Sequence, residues 1–314
     1  MTIVICCTVL FTSQVSGQEN LDLERSSLRS IPKNSERIEV RFEKHPNGTK
    51  YNRFAQNKDW RVVGTNDSWM NKSEITQDEK DSNNRSLRIT YLPEKKSGGS
   101  AVWGLPRKNE YYLSYRVKFA KDFDFDGSEN SGGKLPGLGA RDKQGNLCSG
   151  GQICNGNNGF SSRYMWRENG RAELYLYHMD KPGKWGEDFY FKGRDGSKKF
   201  FERGKWHSLV QRVKINDGKQ ANGEIDVWMD GEKVLSINKL KFVTNSQKID
   251  SLYFSTFHGG NNRGWFPDRK VYSYWDDFVI STSAADVSLD LNRCLLYTSP
   301  SPRDLSTSRM PSSA

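Results

Sequence analysis

The chain has 314 residues, 27% of them charged and 34% hydrophobic. Its nine Trp, 13 Tyr and 16 Phe are ample for a core, which rules out a chain too poor in apolar residues to fold and points to one large or two small globular domains. The formal charge of +10 calls for an anionic partner, whether nucleic acid, an acidic membrane or an acidic polysaccharide, but no run of clustered Lys or Arg stands out, so on charge alone the surface reads as simply solvated.

Residues 1–17 hold the apolar run Ile3 to Phe11 and end in Val15-Ser-Gly17 before polar sequence. That is the form of a signal peptide, too short to span a bilayer, although the basic leader is missing. Export is therefore expected, and the sequons at Asn47, Asn66, Asn71 and Asn84 fit it. Residues 18–60 are polar and irregular, with a strand expected at Arg37–Phe42, and Trp60 to Lys80 reads as loop. Ser86–Leu92 and Gly99–Trp103 read as short strands, and Glu110–Phe119, rich in aromatic and branched residues, as a clear one. Asp122-Phe-Asp-Phe-Asp-Gly127 has the opening spacing of a calcium loop, but its twelfth position is Gly133 instead of Glu, so a solvated strand end is the better reading.

Gly132-Gly-Lys134-Leu-Pro136 comes next. Glycines let the backbone bend and leave room for a bulky ligand, and the proline fixes the path after the cation, so Lys134 is presented and not merely solvated. After a loop over 141–159, two strands follow. Alternation puts Ser161, Arg163 and Arg167 on one face opposite Ser162, Tyr164 and Trp166. It also puts Glu173, Tyr175 and Tyr177 together, opposite Leu174, Leu176 and His178. Lys205–Ile215 is a long strand, and Gly223–Met229 and Lys233–Ile237 flank Asp230-Gly231, the strongest hairpin signal in the chain. Leu252–Phe257 and Val271–Ser281 close the pattern. No helix of three turns and no repeat is evident, so the fold class expected is all-β: a jelly roll, or two-sheet antiparallel sandwich of concanavalin-like type, over residues 35–290.

Residues 294–314, beginning Cys294-Leu-Leu-Tyr-Thr-Ser-Pro, resemble the in-frame translation of a sequencing-library adapter and are set aside as not native. Of five cysteines, Cys6 and Cys7 lie in the leader and Cys294 in this tail, which leaves Cys148 and Cys154. In an exported chain these form a disulfide closing a glycine-rich loop; as a zinc site they lack the further Cys or His needed for four ligands. The four histidines have no metal-ligand spacing, and no metal or cofactor is expected.

Two catalytic chemistries can be weighed. A glycosidase on a sandwich needs paired carboxylates. Glu224-Ile-Asp226-Val-Trp-Met-Asp230 superficially resembles the catalytic strand of family 16 glycoside hydrolases, but the third acid is missing and the stretch runs into the Asp-Gly turn, so it reads as an exposed hairpin. β-Elimination on a uronate polymer needs instead a cation to neutralise the sugar carboxylate, a base for the C5 proton and an acid for the departing O4. Lys134 and Arg163 suit the first task, and Tyr175 and Tyr177, beside cations expected to lower phenol pKa values, suit the other two. The bland reading of the same set is cross-strand aromatics over a solvated Lys and Arg.

Gly-Gly-Lys134-Leu-Pro-Gly-Leu, Phe-Ser-Ser-Arg163-Tyr-Met-Trp-Arg167 and Glu-Leu-Tyr175-Leu-Tyr177, in this order, resemble polysaccharide lyase family 14, the alginate and polyuronate lyases of molluscs and algal viruses. They also resemble the related family 20 glucuronan lyases, with which Cys148-Ser-Gly-Gly fits. The likeness covers roughly 100–282, including Phe254-Ser-Thr-Phe-His-Gly-Gly260 and Tyr274-Trp-Asp-Asp277. It implies a jelly roll with an anionic-polymer cleft on its concave sheet and unsaturated uronate products. By motif position the functional lysine falls on Lys134, the Ser-x-Arg pair on Ser161 and Arg163, and the two tyrosines on Tyr175 and Tyr177. Arg167, Trp103, His258 and Trp265 are further candidates for the cleft. The chain departs from the pattern at Gly139-Ala-Arg141, where an aromatic residue and two glycines usually follow, and at His258. The expectation is a secreted lyase on mannuronate-rich alginate, with glucuronan lyase and a non-catalytic carbohydrate-binding jelly roll as alternatives. The partner is an acidic polysaccharide, not nucleic acid or membrane, and sequence leaves oligomeric state open.

Overall fold

The computed structural model describes residues 37–78, 81–126, 130–260 and 262–287. The expected leader over 1–17, the adapter-like tail over 294–314 and Gly127 of the calcium-like stretch lie outside the described residues. Every pairing between strands is antiparallel, and the strands divide into two sheets. In chain order the first sheet holds β1 (Arg37–Val40), β3 (Glu74–Gln77), β4 (Arg85–Tyr91), β6 (Glu110–Phe119), β11 (Trp206–Lys214), β12 (Gly223–Met229), β13 (Glu232–Leu240) and β15 (Val271–Ser281). The second holds β2 (Arg61–Thr65), β5 (Gly98–Lys108), β7 (Gly133–Ala140), β8 (Phe160–Trp166), β9 (Ala172–Tyr177), β10 (Glu187–Tyr190) and β14 (Ile249–Phe257). Its spatial order is β10-β9-β8-β7-β14-β5-β2, so β7, β8 and β9 lie side by side, with β7 at the centre and β9 next to the edge strand β10. Two short helices, α1 (Arg53–Asp59) and α2 (Asp67–Met70), connect strands.

Alternation along the strands makes this a jelly-roll sandwich. Leu135, Leu138, Tyr164, Trp166, Leu174 and Leu176 from the second sheet meet Leu113, Tyr115, Val117, Trp275 and Phe278 from the first, all at 0% exposure. Each such side chain contributes roughly 1.5–3 kcal/mol by leaving water. The Asp230-Gly231 turn links β12 to β13 with positive φ at both residues, 52° and 81°, as a two-residue hairpin whose twist matches its strands requires.

Several expectations change at the edges. The stretch expected to be loop, Trp60 to Lys80, contains β2, α2 and β3; both strands are sheet edges of four or five residues, too short for an apolar alternation to show. Trp103 is corrected outright. Ala101, Trp103 and Leu105 share the inward face of β5, and Trp103 stacks on Trp60 at 4.3 Å while its Nε1–H donates to Gln56 Oε1 at 3.0 Å. A ring at 0% exposure between two sheets cannot line a cleft.

Glu224 and Asp226 project from β12 in the first sheet, where Arg212 bridges both at 2.8 and 3.0 Å and Lys233 reaches Asp226 at 2.6 Å. They form an ion-paired sheet face, as the hairpin reading expects.

Candidate active site

The outward face of the second sheet is built from three cross-strand rows. Directly opposed residues of antiparallel strands point to the same side. The first row is Lys134, Met165, Glu173 and Tyr190, on β7, β8, β9 and β10. Beside it run Tyr253, Gly137, Arg163, Tyr175 and Asp188. Gly139, Ser161 and Tyr177 form the third. Lys134 and Gly137 are three residues apart, yet both face outward, because the register of β7 shifts between Leu135 and Gly137. Pro136 sits in that irregularity and resets the alternation. Gly137 is compulsory: a Cβ there would lie 1.8 Å from the Ser162 carbonyl oxygen.

The rows bring Lys134, Arg163 and Tyr175 into one constellation. The Lys134 ammonium stands 3.6 Å from the centroid of the Tyr175 ring and contacts the Met165 sulfur. Burial, with Arg163 and then Arg167 as like charges, holds its pKa well below the ordinary lysine value. Arg163 is buried, lies over the Tyr253 ring at 4.5 Å and donates from Nη1 to Ser255 Oγ at 3.3 Å. Its Nε–H makes no hydrogen bond among the described residues. For Tyr175 the sign differs from the sequence expectation. Burial, then Tyr177, push its pKa up, and the lowering by Arg163 is a lesser effect. The phenol is therefore held in its protonated form.

Two loops close over the tyrosines. Cys148 and Cys154 are joined by a disulfide, and within that loop Gly151 N–H donates to the Tyr177 hydroxyl at 2.8 Å. Gly186 N–H donates to the Tyr175 hydroxyl at 3.0 Å, and a Cβ at Gly186 would lie 2.7 Å from Tyr175 Cζ. Ser161 is fully buried and donates to the Cys148 carbonyl at 2.8 Å, so in this structure it ties the disulfide loop to β8. Tyr177, 1% exposed, packs edge-on against Tyr175 at 5.5 Å.

Arg167 joins the constellation through two acids to which sequence reading gave no role. Its Nε–H donates to Glu173 Oε1 at 2.7 Å and its Nη2–H to Asp188 Oδ1 at 2.6 Å. Glu173 is fully buried, its Oε2 has no hydrogen-bond partner among the described residues, and burial raises its pKa to about 8. Its place beside the tyrosines was readable from alternation. Asp188 was not, because β10 has only four residues.

His258 is the second correction. It lies in the core at 2% exposure among Tyr91, Phe123 and Trp166, and its Nε2 bonds the Asp124 carbonyl at 2.6 Å. Burial lowers its pKa to about 4, so the ring is neutral and its Nε2–H is the donor. Trp265, in the turn Arg263–Trp265, covers Gly259 and Gly260, where a Cβ would come within 2.2 and 2.5 Å of its ring.

The family model of polysaccharide lyase 14 matches residues 79–278, which include all three rows. The chain belongs to the polysaccharide lyase 14 family. It is therefore a polysaccharide lyase. Among solved structures, the alginate lyase Aly36B is 27% identical over 78% of this chain and 96% of its own, with a TM-score of 0.64. The marine PL-14 alginate lyase from Aplysia kurodai is 27% identical over 68% of this chain and 88% of its own, with a TM-score of 0.57. The alginate lyase vAL-1 from Chlorella virus, 23% identical with a TM-score of 0.56 over 71% of this chain and 93% of its own, shares the fold. No curated protein matches the sequence.

Proposed function

We propose that this lyase cleaves a polyuronate, in the first instance mannuronate-rich alginate, by β-elimination at the Lys134–Arg163–Tyr175 constellation. The observation that carries the reading is the stacking of a lysine with a lowered pKa on a phenol with a raised one, beside an arginine that is always charged. Alginate as substrate is supported by Aly36B, whose doubly substituted variant was solved in complex with alginate trisaccharide at 26% identity to this chain.

In this mechanism Arg163 meets the carboxylate of the uronate and disperses charge as C5 becomes carbanion-like. Neutral Lys134 takes the C5 proton, a role that suits a lysine kept from its charged form by burial. The Tyr175 hydroxyl gives its proton to O4 as the C4–O4 bond breaks, and C4=C5 forms in conjugation with the carboxylate. This assigns the base to Lys134 where sequence alone pointed to a phenol. Tyr177 and Ser161 orient Tyr175 and the disulfide loop in this scheme. The disulfide supports export, because such bonds persist in oxidising compartments; N-terminal sequencing of the secreted protein would find a start near Gln18, and retention in the cell would contradict export.

Product mass tests the reaction class. Elimination adds no water, so each cleavage leaves one end one water lighter than hydrolysis would. Products carrying the full mass of hydrolysis would overturn the proposal.

A further inference from the structure

The first cross-strand row does not stop at Glu173. It continues to Tyr190 on β10, and there the surface opens into a cavity of about 270 Å³ lined by Arg167, Glu168, Asn169, Arg171, Tyr190, Lys198 and Phe200. We propose that this cavity is a subsite for one carboxylate-bearing sugar ring of the polymer, extending the catalytic row toward the β10 edge of the sheet. The inference rests on the lyase reading and adds to it where the chain lies.

Four features carry it. First, the cavity is continuous with the catalytic constellation, because Arg167 belongs to both: it lines the cavity and its guanidinium is 5.8 Å from the Tyr175 ring. Lys134 to Tyr190 spans three strand steps, about 14 Å at the usual ~4.8 Å spacing, room for a few sugar units running across the strands. Second, its charge suits a carboxylate. Arg167, Arg171 and Lys198 face one acid, Glu168, among the lining residues. Arg167 is already engaged by Glu173 and Asp188, so Arg171 and Lys198 carry the recognition.

Third, its walls suit a pyranose. The Arg171 guanidinium is stacked 3.7 Å over the Tyr190 ring, which fixes its plane, and its Nε–H has no hydrogen-bond partner among the described residues. Phe200 leaves 39% of its surface in water directly beside these cations. An apolar ring next to a preset guanidinium offers one surface for the sugar's C–H face and another for its carboxylate. Backbone pairing of Arg171 with Phe200 holds the two together. Fourth, the volume falls just below the roughly 300–1,000 Å³ of sites for drug-sized ligands, a match to one ring and not to a longer segment.

The test compares wild type with two variants, Arg171→Gln combined with Phe200→Ser, and Lys198→Glu alone, on alginate polymer and on a defined mannuronate hexasaccharide. Expected is a rise in KM on polymer of about three- to tenfold, the scale of one lost ordinary hydrogen bond. The kcat stays within about twofold, because neither variant touches the reacting atoms, and the bond cleaved in the hexasaccharide shifts. Lys198 is exposed, so its variant keeps the test valid if the double variant does not fold. Unchanged KM and an unchanged cleavage position in a folded variant would overturn the subsite while leaving the lyase reading intact. A wild type that yields no unsaturated product from any polyuronate would instead overturn the reading on which the subsite rests.

Discussion

The Lys134 ammonium lies 3.6 Å from the centroid of the Tyr175 ring, so the charge of one residue and the proton of the other are directly linked. A cation on an aromatic face away from water is stabilised by about 2 kcal/mol. Burial and the neighbouring arginines work against that charge and, on balance, hold the lysine's pKa down.

Lys134→Ala is expected to lower kcat by roughly 10²- to 10⁴-fold, the usual contribution of a positioned base, with the melting temperature little changed. Lys134→Arg would not restore it, because a guanidinium does not give up its proton. Steady-state kinetics on both variants checks this; recovery with arginine would mean that charge alone is needed.

The pH dependence of kcat/KM has a defined sign. Activity rises with pH as Lys134 loses its proton, and the rise falls below the ordinary lysine value of 10.5. Tyr175, shifted upward, keeps its proton through that range. The Glu173 carboxylate, formed above its pKa of about 8, favours the charged lysine, so Glu173→Gln moves the part of the ascending limb above that pH to lower pH. A limb that stays in place would remove Glu173 from control of the lysine.

Glu173 also ties stability to pH. Its folded pKa of about 8 stands above its ordinary value of 4.5, so across that window the folded chain keeps a proton that the unfolded chain has released. Stability from this group is therefore full at low pH and is lost as pH rises toward 8. The melting temperature of Glu173→Gln relative to wild type should climb through this window, and parallel curves would contradict the assignment.

His258 should matter for folding and not for substrate. His258→Leu leaves the Asp124 carbonyl without its donor, at a cost of roughly 1–3 kcal/mol, while KM on alginate stays that of wild type. Since the ring's folded pKa of about 4 is below its ordinary 6.5, its contribution is present above 6.5 and fades as pH falls toward 4. Urea unfolding with kinetics on the folded fraction separates the two roles.

Replacing Cys148 and Cys154 by serine frees the loop that sets Gly151 N–H on Tyr177 and accepts from Ser161. For so short a loop the chain-entropy model gives about 2 kcal/mol, read as a lower melting temperature. Turnover should fall as well, because Tyr177 and hence Tyr175 lose a support. Full activity with a lower melting temperature would confine the bridge to stability.

Much of the site could be read before the fold was known, because it sits on strands whose two faces differ. Glu173, Tyr175 and Tyr177 alternate with Leu174 and Leu176, and that period fixes which of them meet. What stayed hidden depends on the third dimension. The shift at Pro136 that returns Gly137 to the outer face has no mark in a periodic pattern. Asp188 arrives on a strand too brief to show a period. An aromatic residue alone does not say which face it takes, so Trp103 and His258 looked equally fit for a cleft, although Ala101 and Leu105 around Trp103 already carried the parity of a core strand. The upward shift at Tyr175 follows from burial, which charge spacing cannot supply.

Elimination by this protein is read directly from the ultraviolet absorbance of the conjugated C4=C5 uronate during incubation of the folded protein with polymannuronate, polyguluronate and glucuronan. A steady rise is expected, fastest on polymannuronate and absent with Lys134→Ala. No rise on any of the three polymers would contradict it.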